Sequence, residues 1–105
     1  MWLVELDPTR GHEQGGTRPA LVVSVDKFNR GAADLVVILP ITTKDKGIAS
    51  HVRIEPQKHG LRELSFIKCE DVRSISKKRL VTFCGTVDAK SLTEVEYRLR
   101  IILGI

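Results

Sequence analysis

The chain has 105 residues, 42% of them hydrophobic and 29% charged, ordinary globular values that exclude wholesale disorder and predict one domain over residues 1–105. Seventeen Lys and Arg against thirteen Asp and Glu leave a net charge of +4, which favours an anionic partner without requiring one. Cys69 and Cys84 are the only cysteines and show no CxxC or nearby His pattern, so neither a zinc site nor a disulfide framework is expected. A reduced, cytoplasmic protein fits that usage. No apolar stretch approaches the roughly 18 residues of a membrane span, and the opening WLVELDP has no basic leader, so no membrane association or export is expected.

Short β-rich runs separated by turn residues follow one another along the chain. Residues 2–6 (WLVEL) form the first, closed by Asp7 and Pro8. Residues 19–25 (PALVVSV) and 34–41 (DLVVILPI) are nearly all apolar and read as strands buried on both faces; Pro40 marks an edge, a bulge or a strand end. Residues 51–55 (HVRIE) alternate, with Val52 and Ile54 inward and His51, Arg53 and Glu55 in water. Runs at 64–69, 71–75 and 80–87 complete about seven strands. Loops are expected at 7–18, 26–33, 42–50 and 55–63.

The tail reads differently. Ser91 and Glu94 have the spacing of a capping box, Leu92, Val95, Leu99 and Ile102 recur at helical spacing, and Gly104 supplies a stop. The expected fold is mainly β with α: a small SH3-like barrel, or a strongly twisted antiparallel sheet, carrying a C-terminal helix.

The stretch GHEQGGTRP at 11–19 concentrates chemistry. Its glycines permit tight turns and close backbone approach to an anion, but it is not a P-loop. Arg18 precedes Pro19, which biases it to an extended backbone at a strand start. Its planar fork suits a phosphate, and it equally suits an ion pair with Glu13. His12, with an unperturbed pKa of about 6.5, suits proton transfer or is an idle surface imidazole. Thr42 and Thr43 place hydroxyls at a strand end, where threonines commonly cap turns. Lys44, Lys46, Lys77, Lys78 and Arg79 make short basic clusters of the kind usually found on solvated faces. Glu70 and Asp71 are adjacent, so in a strand they diverge and cannot form a carboxylate dyad. Few aromatics and no RNP-like string argue against an RNA-recognition motif.

Taken in order, LDPTRGHEQGGTRPALVVS, FN at 28–29, VVILPITT at 36–43 and IKCEDVRSISKKRL at 67–80 resemble the MazF/PemK family of toxin endoribonucleases from bacterial toxin–antitoxin pairs. The resemblance implies a MazF/CcdB-like fold, a homodimer, binding of single-stranded RNA, cleavage without metal or cofactor, and a cognate MazE-like antitoxin. The family's catalytic Arg and Thr fall on Arg18 and Thr42. His12 follows the PemK-like branch, and Glu13 and Gln14 match its EQ pair. His12 and Glu13 become the proton-transfer candidates; Gln14, Thr17, Thr43, Lys44, Lys46, Lys68 and Glu70 become RNA-contact candidates.

Two departures stand out. Members carry several residues before the Trp, where only Met1 precedes Trp2. PemK-like members have Arg-Cys-Asp-Gln where this chain has Lys68-Cys69-Glu70-Asp71. A CcdB-like gyrase poison is the alternative from a different class, suggested by the terminal Gly104-Ile105 but lacking the aromatic before it. A catalytically inactive RNA-binding relative is the third reading.

Overall fold

The computed structural model describes residues 1–6, 16–56 and 61–105. In chain order it contains β1 (Trp2–Leu6), β2 (Gly16–Val22), the short helix α1 (Asp26–Asn29), β3 (Leu35–Thr42), β4 (His51–Ile54), β5 (Ser65–Lys68), β6 (Arg73–Ser76), β7 (Leu80–Phe83) and the long helix α2 (Ala89–Leu103). Single 3-10 turns at Cys69–Asp71 and Lys77–Arg79 join β5 to β6 and β6 to β7.

All pairings are antiparallel. The sheet runs β4-β5-β3-β2-β1-β7, with β6 attached to β3 off this path. Of the two expected forms it is the open, twisted one; among the described residues no pairing closes it into a barrel.

β3 organises the sheet because it has three partners. One edge pairs with β2 through Ala20↔Pro40, Leu21↔Leu39 and Val22↔Ile38. The other pairs first with β6, from Leu35↔Ser76 to Ile38↔Arg73, and then with β5, at Ile41↔Ile67 and Thr42↔Phe66. Leu39 and Pro40 stand in the gap between those two partners. Pro40 therefore neither ends the strand nor marks a free edge. It lies where the strand changes neighbour, and having no N–H it has no donor to lose there.

The unbroken apolar runs have a direct cause, since β2 and β3 bury both faces. Leu21, Leu39 and Ile41 join a cluster with Val52, Ile54, Ile67, Cys69 and Val95, covered by α2. Ala20, Val36 and Ile38 point the other way and pack with Val4, Trp2 and Leu80 inside the curl of the sheet. Alternation with period two sends successive residues to opposite clusters.

Several local expectations are corrected. β2 begins at Gly16 (φ 124°), so Thr17 and Arg18 belong to the strand. α1 occupies part of the loop expected at 26–33. β7 stops at Phe83, whose ring meets Trp2 edge-on at 5.6 Å across the β1–β7 pair. α2 starts one turn earlier than Ser91 implied: Asp88 is the N-cap, its Oδ1 accepting the Ser91 N–H at 3.1 Å. An Asp cap serves the same orphan donors as the Ser–Glu box. Within the helical stripe Val95 is buried and Leu99 packs on the core, while Leu92 and Ile102 remain exposed. Gly104 ends the helix in the left-handed conformation (φ 68°, ψ 35°), and the Ile105 N–H returns to the Arg100 carbonyl. No helix among the described residues is long and apolar enough to cross a membrane.

Candidate active site

Arg18 and Thr42, distant in sequence, are brought together by the β2–β3 register. The last pair is Ala20↔Pro40; two residues further along each strand stand Arg18 and Thr42. Both line a cleft of about 400 Å³ that also takes in Leu6, Thr43, Lys44, Lys46, Ser65, Lys68 and Arg73. Each wall has a different origin. β2 supplies Arg18, β3 and the turn after it supply Thr42, Thr43, Lys44 and Lys46, β5 supplies Ser65 and Lys68, and β6 supplies Arg73. The cleft sits where β3 changes partner, next to Pro40.

The turn after β3 is shaped by its own side chains. Thr42 Oγ1 accepts the Lys44 N–H at 3.1 Å, and Asp45 Oδ1 accepts the Gly47 N–H at 3.0 Å, with Gly47 at φ 63°. These hydroxyl and carboxylate turns reverse the chain and leave Lys44 and Lys46 exposed on the cleft rim. Capping the turn uses a lone pair of the Thr42 oxygen and leaves its O–H able to donate into the cleft.

Charge in the cleft is one-sided. Five cations line it (Arg18, Lys44, Lys46, Lys68 and Arg73), and none of its described lining residues is a carboxylate. Asp71 approaches from behind the wall, with Oδ2 at 3.0 Å from Arg73 Nη2 and 3.5 Å from Lys68 Nζ. A low-dielectric pocket lined by like charges concentrates a field that attracts an anion such as a phosphodiester.

The adjacent acids part company, as expected, though from a 3-10 turn rather than a strand. While Asp71 serves the cleft, Glu70 turns to the β4 side. Its Oε1 accepts the Ser50 hydroxyl at 2.8 Å, and its Oε2 lies 2.9 Å from His51 Nε2. Burial raises the Glu70 carboxyl, but hydrogen bonds from Ser50, its own backbone N–H and His51, with attraction to the imidazole, outweigh that and hold it below the usual range. Glu70 does not line the cleft. His51, expected in water, is 8% exposed, and its Nδ1 has no hydrogen-bond partner among the described residues. The pairing with Glu70 makes that burial tolerable.

The remaining candidates divide cleanly. Thr17 is exposed on β2 beside Arg18. His12, Glu13 and Gln14 lie outside the described residues; the segment that carries them joins Leu6 to Gly16, which face each other in the β1–β2 register. Sequence reasoning overlooked Arg73 and Ser65 as cleft residues. For Arg73 a signal existed: Asp71 and Arg73 are two apart in a segment read as extended, a spacing that puts opposite charges on one face. Among the described residues no three His, Cys, Asp or Glu side chains gather.

Comparison with known proteins gives this cleft a context. Residues 1–103 match the family described as PemK-like, MazF-like toxin of type II toxin-antitoxin system. The chain is 33% identical over 106 residues to Endoribonuclease MazF of Staphylococcus epidermidis, covering 100% of this chain and 88% of that relative. It is similar to the crystal structure of MazF (form I) from Deinococcus radiodurans, with 30% identity, a TM-score of 0.80, and coverage of 99% of this chain and 92% of that one. MazE–MazF (form II) from the same organism is similar to the same degree, with 30% identity, a TM-score of 0.80, and coverage of 99% and 91%. Matched along nearly its whole length, with the Arg and Thr of its quoted motifs meeting in one cation-lined cleft, this chain belongs to the PemK-like, MazF-like family of toxins from type II toxin–antitoxin systems.

Proposed function

We propose that the chain is the toxin of its pair and cuts single-stranded RNA, chiefly messenger RNA, as a sequence-specific, metal-independent endoribonuclease that halts translation and growth. The observation that carries this reading is the meeting of Arg18 and Thr42 in a cleft lined by five cations and no described carboxylate. Identity of 33% to a chain named endoribonuclease supports it.

The chemistry follows from what these groups do well. The ribose 2′-OH loses its proton to a base and attacks the adjacent phosphorus. The 5′-oxygen leaves with a proton, giving a 2′,3′-cyclic phosphate and a 5′-OH end. Arg18 carries a guanidinium, a poor base and a good partner for the charge that builds on the phosphorane oxygens. The Thr42 hydroxyl donates to a non-bridging oxygen. No imidazole or carboxylate is among the described residues lining the cleft, so proton transfer is assigned to His12 and Glu13. Gln14, Thr17, Thr43, Lys44, Lys46 and Lys68 contact the RNA. Glu70 acts at one remove, since it is committed to His51 and Ser50.

The partners proposed are a second copy of the chain and a MazE-like antitoxin, in the cytoplasm; similarity to MazE–MazF at 30% identity supports the antitoxin. Tyr97, Ile101 and Ile105 on or after α2 are more than half exposed and offer apolar surface that such contacts can bury.

The test is incubation of the protein with a long mixed-sequence RNA in excess EDTA, with mapping of the new ends, beside Arg18→Ala. Cuts at a recurring short motif with 5′-OH ends are expected, reduced on the order of a hundred- to a thousandfold by the substitution. Absence of cuts by folded protein refutes the reading. It would favour the CcdB-like alternative, for which the exposed Leu103 and Ile105 are the supporting observation and DNA supercoiling the assay.

A further inference from the structure

Among the described cations of the cleft, Arg73 is the one to which the sequence assigned no role, and three observations give it a task. First, it shares the cleft wall with Lys68, and a single carboxylate oxygen, Asp71 Oδ2, binds both, at 3.0 Å from the guanidinium and 3.5 Å from the ammonium. Two positive groups drawn together around one oxygen keep a net positive charge and a fixed spacing. Second, the Arg73 side chain is held yet accessible: Nη2 binds Asp71 and Nε is buried, while the side chain as a whole is 39% exposed. Third, Arg73 and Leu6 are common to two adjoining cavities. One is the cleft of Arg18 and Thr42; the other, about 410 Å³, is lined further by Ser74, Ser76 and Arg79. A strand with one phosphate at Arg18 passes Arg73 if it continues from the first cavity into the second.

We infer that Lys68 and Arg73, held by Asp71, form a second phosphodiester site beside the catalytic one, receiving the RNA phosphate next to the scissile linkage as the strand runs from the cleft into the adjoining cavity. Arg73 contributes a planar fork and Lys68 a point charge, a pairing suited to an anion approached from two sides. Asp71 is the positioning residue. In this chain the carboxylate serving Lys68 is therefore Asp71, while its neighbour Glu70 is committed to His51. The inference rests on the endoribonuclease reading.

The experiment uses short RNA substrates built on a mapped cleavage sequence, with a neutral methylphosphonate replacing each linkage around the scissile one in turn. KM and kcat are measured for the wild-type chain, Arg73→Ala, Arg73→Lys and Asp71→Asn. At one neighbouring linkage the neutral group is expected to raise the wild-type KM about tenfold with kcat little changed, the size of one lost charge-assisted contact. In Arg73→Ala the same replacement should raise KM less than about twofold, because the contact is already gone. Arg73→Lys guards against misfolding and should retain part of the coupling.

Asp71→Asn separates position from charge. The added positive charge alone would tighten RNA binding, whereas loss of positioning predicts a higher KM and a weaker effect of the neutral linkage. Additive effects of substitution and neutral linkage at every position, in an enzyme that still cleaves, overturn the second site alone. Absence of cleavage by the wild-type chain overturns it together with the function on which it rests.

Discussion

Removing Lys44 and Lys46 together isolates the electrostatic part of RNA binding from the chemistry. Five described cations line the cleft, and Asp71 bridges two of them, so a strand threaded through it is expected to set about four phosphates against cationic side chains. Counterion release from a single strand gives a slope of log K against log salt of roughly −0.7 per phosphate neutralised, or about −2.8 for four. Raising salt from roughly 50 to 200 mM should then weaken binding about 50-fold. With Lys44→Ala and Lys46→Ala the slope should fall to about −1.4 and the same salt step should weaken binding only about sevenfold. Fluorescence anisotropy with a 2′-O-methyl RNA, which cannot provide the attacking hydroxyl, measures binding without turnover. The control is Lys27→Ala with Lys90→Ala, which changes net charge equally at two exposed positions outside the cleft lining. An unchanged slope in the first variant, or an equal change in the control, refutes the idea that these lysines touch RNA.

Ile67, fully buried between Ile41 and Val52, loses three carbons in Ile67→Ala. Transfer and cavity terms together predict a loss of about 3 kcal/mol, and urea unfolding that shifts by less than about 1 kcal/mol would contradict the packing described. Glu70 has a depressed folded-state pKa, so it contributes stability above its unfolded value of 4.5 and loses it as pH falls through the folded value. Glu70→Gln should therefore unfold more easily than wild type at neutral pH and lose that difference in acid, and a pH-independent difference would refute the linkage. Burial pushes the Cys69 thiol up to about 11, with Glu70 adding to the rise against the opposing pull of Arg98. Titration with a thiol reagent at mildly alkaline pH should show Cys84 reacting first and Cys69 only on unfolding. Two equally fast thiols would show that Cys69 is not sealed in the core.

How much of this was legible in the sequence differs between strands and site. Apolar runs located β2 and β3 within a few residues because burial on both faces leaves no ambiguity in composition. His51 escaped because alternation assigns a polar residue to water, and only the fold reveals that Glu70, on another strand connection, covers it. Ser91 looked like the cap because it begins a capping-box pattern, yet Asp88 stands three residues earlier and performs the same task. Arg18 and Thr42 could be named from their motifs, but their meeting depends on the Ala20↔Pro40 register, which is a long-range property. Arg73 was half hidden for the same reason: its spacing from Asp71 hinted at an ion pair, but its place in the cleft depends on residues from five different strands meeting there.

The change of partner along β3 has a mechanical consequence. β4 and β5 are joined to the rest of the sheet by two residue pairs, Ile41↔Ile67 and Thr42↔Phe66, immediately beyond the gap at Leu39 and Pro40. That junction is a seam, and the cleft lies across it, with Arg18 on one side and Lys68 on the other. An anion gripped from both sides acts as a clasp on the seam. Bound RNA should then slow amide exchange at Phe66 and Ile67 more than at Leu21 and Leu39 in the continuous part of the sheet, so that occupancy of the site is recorded as stiffness in the scaffold.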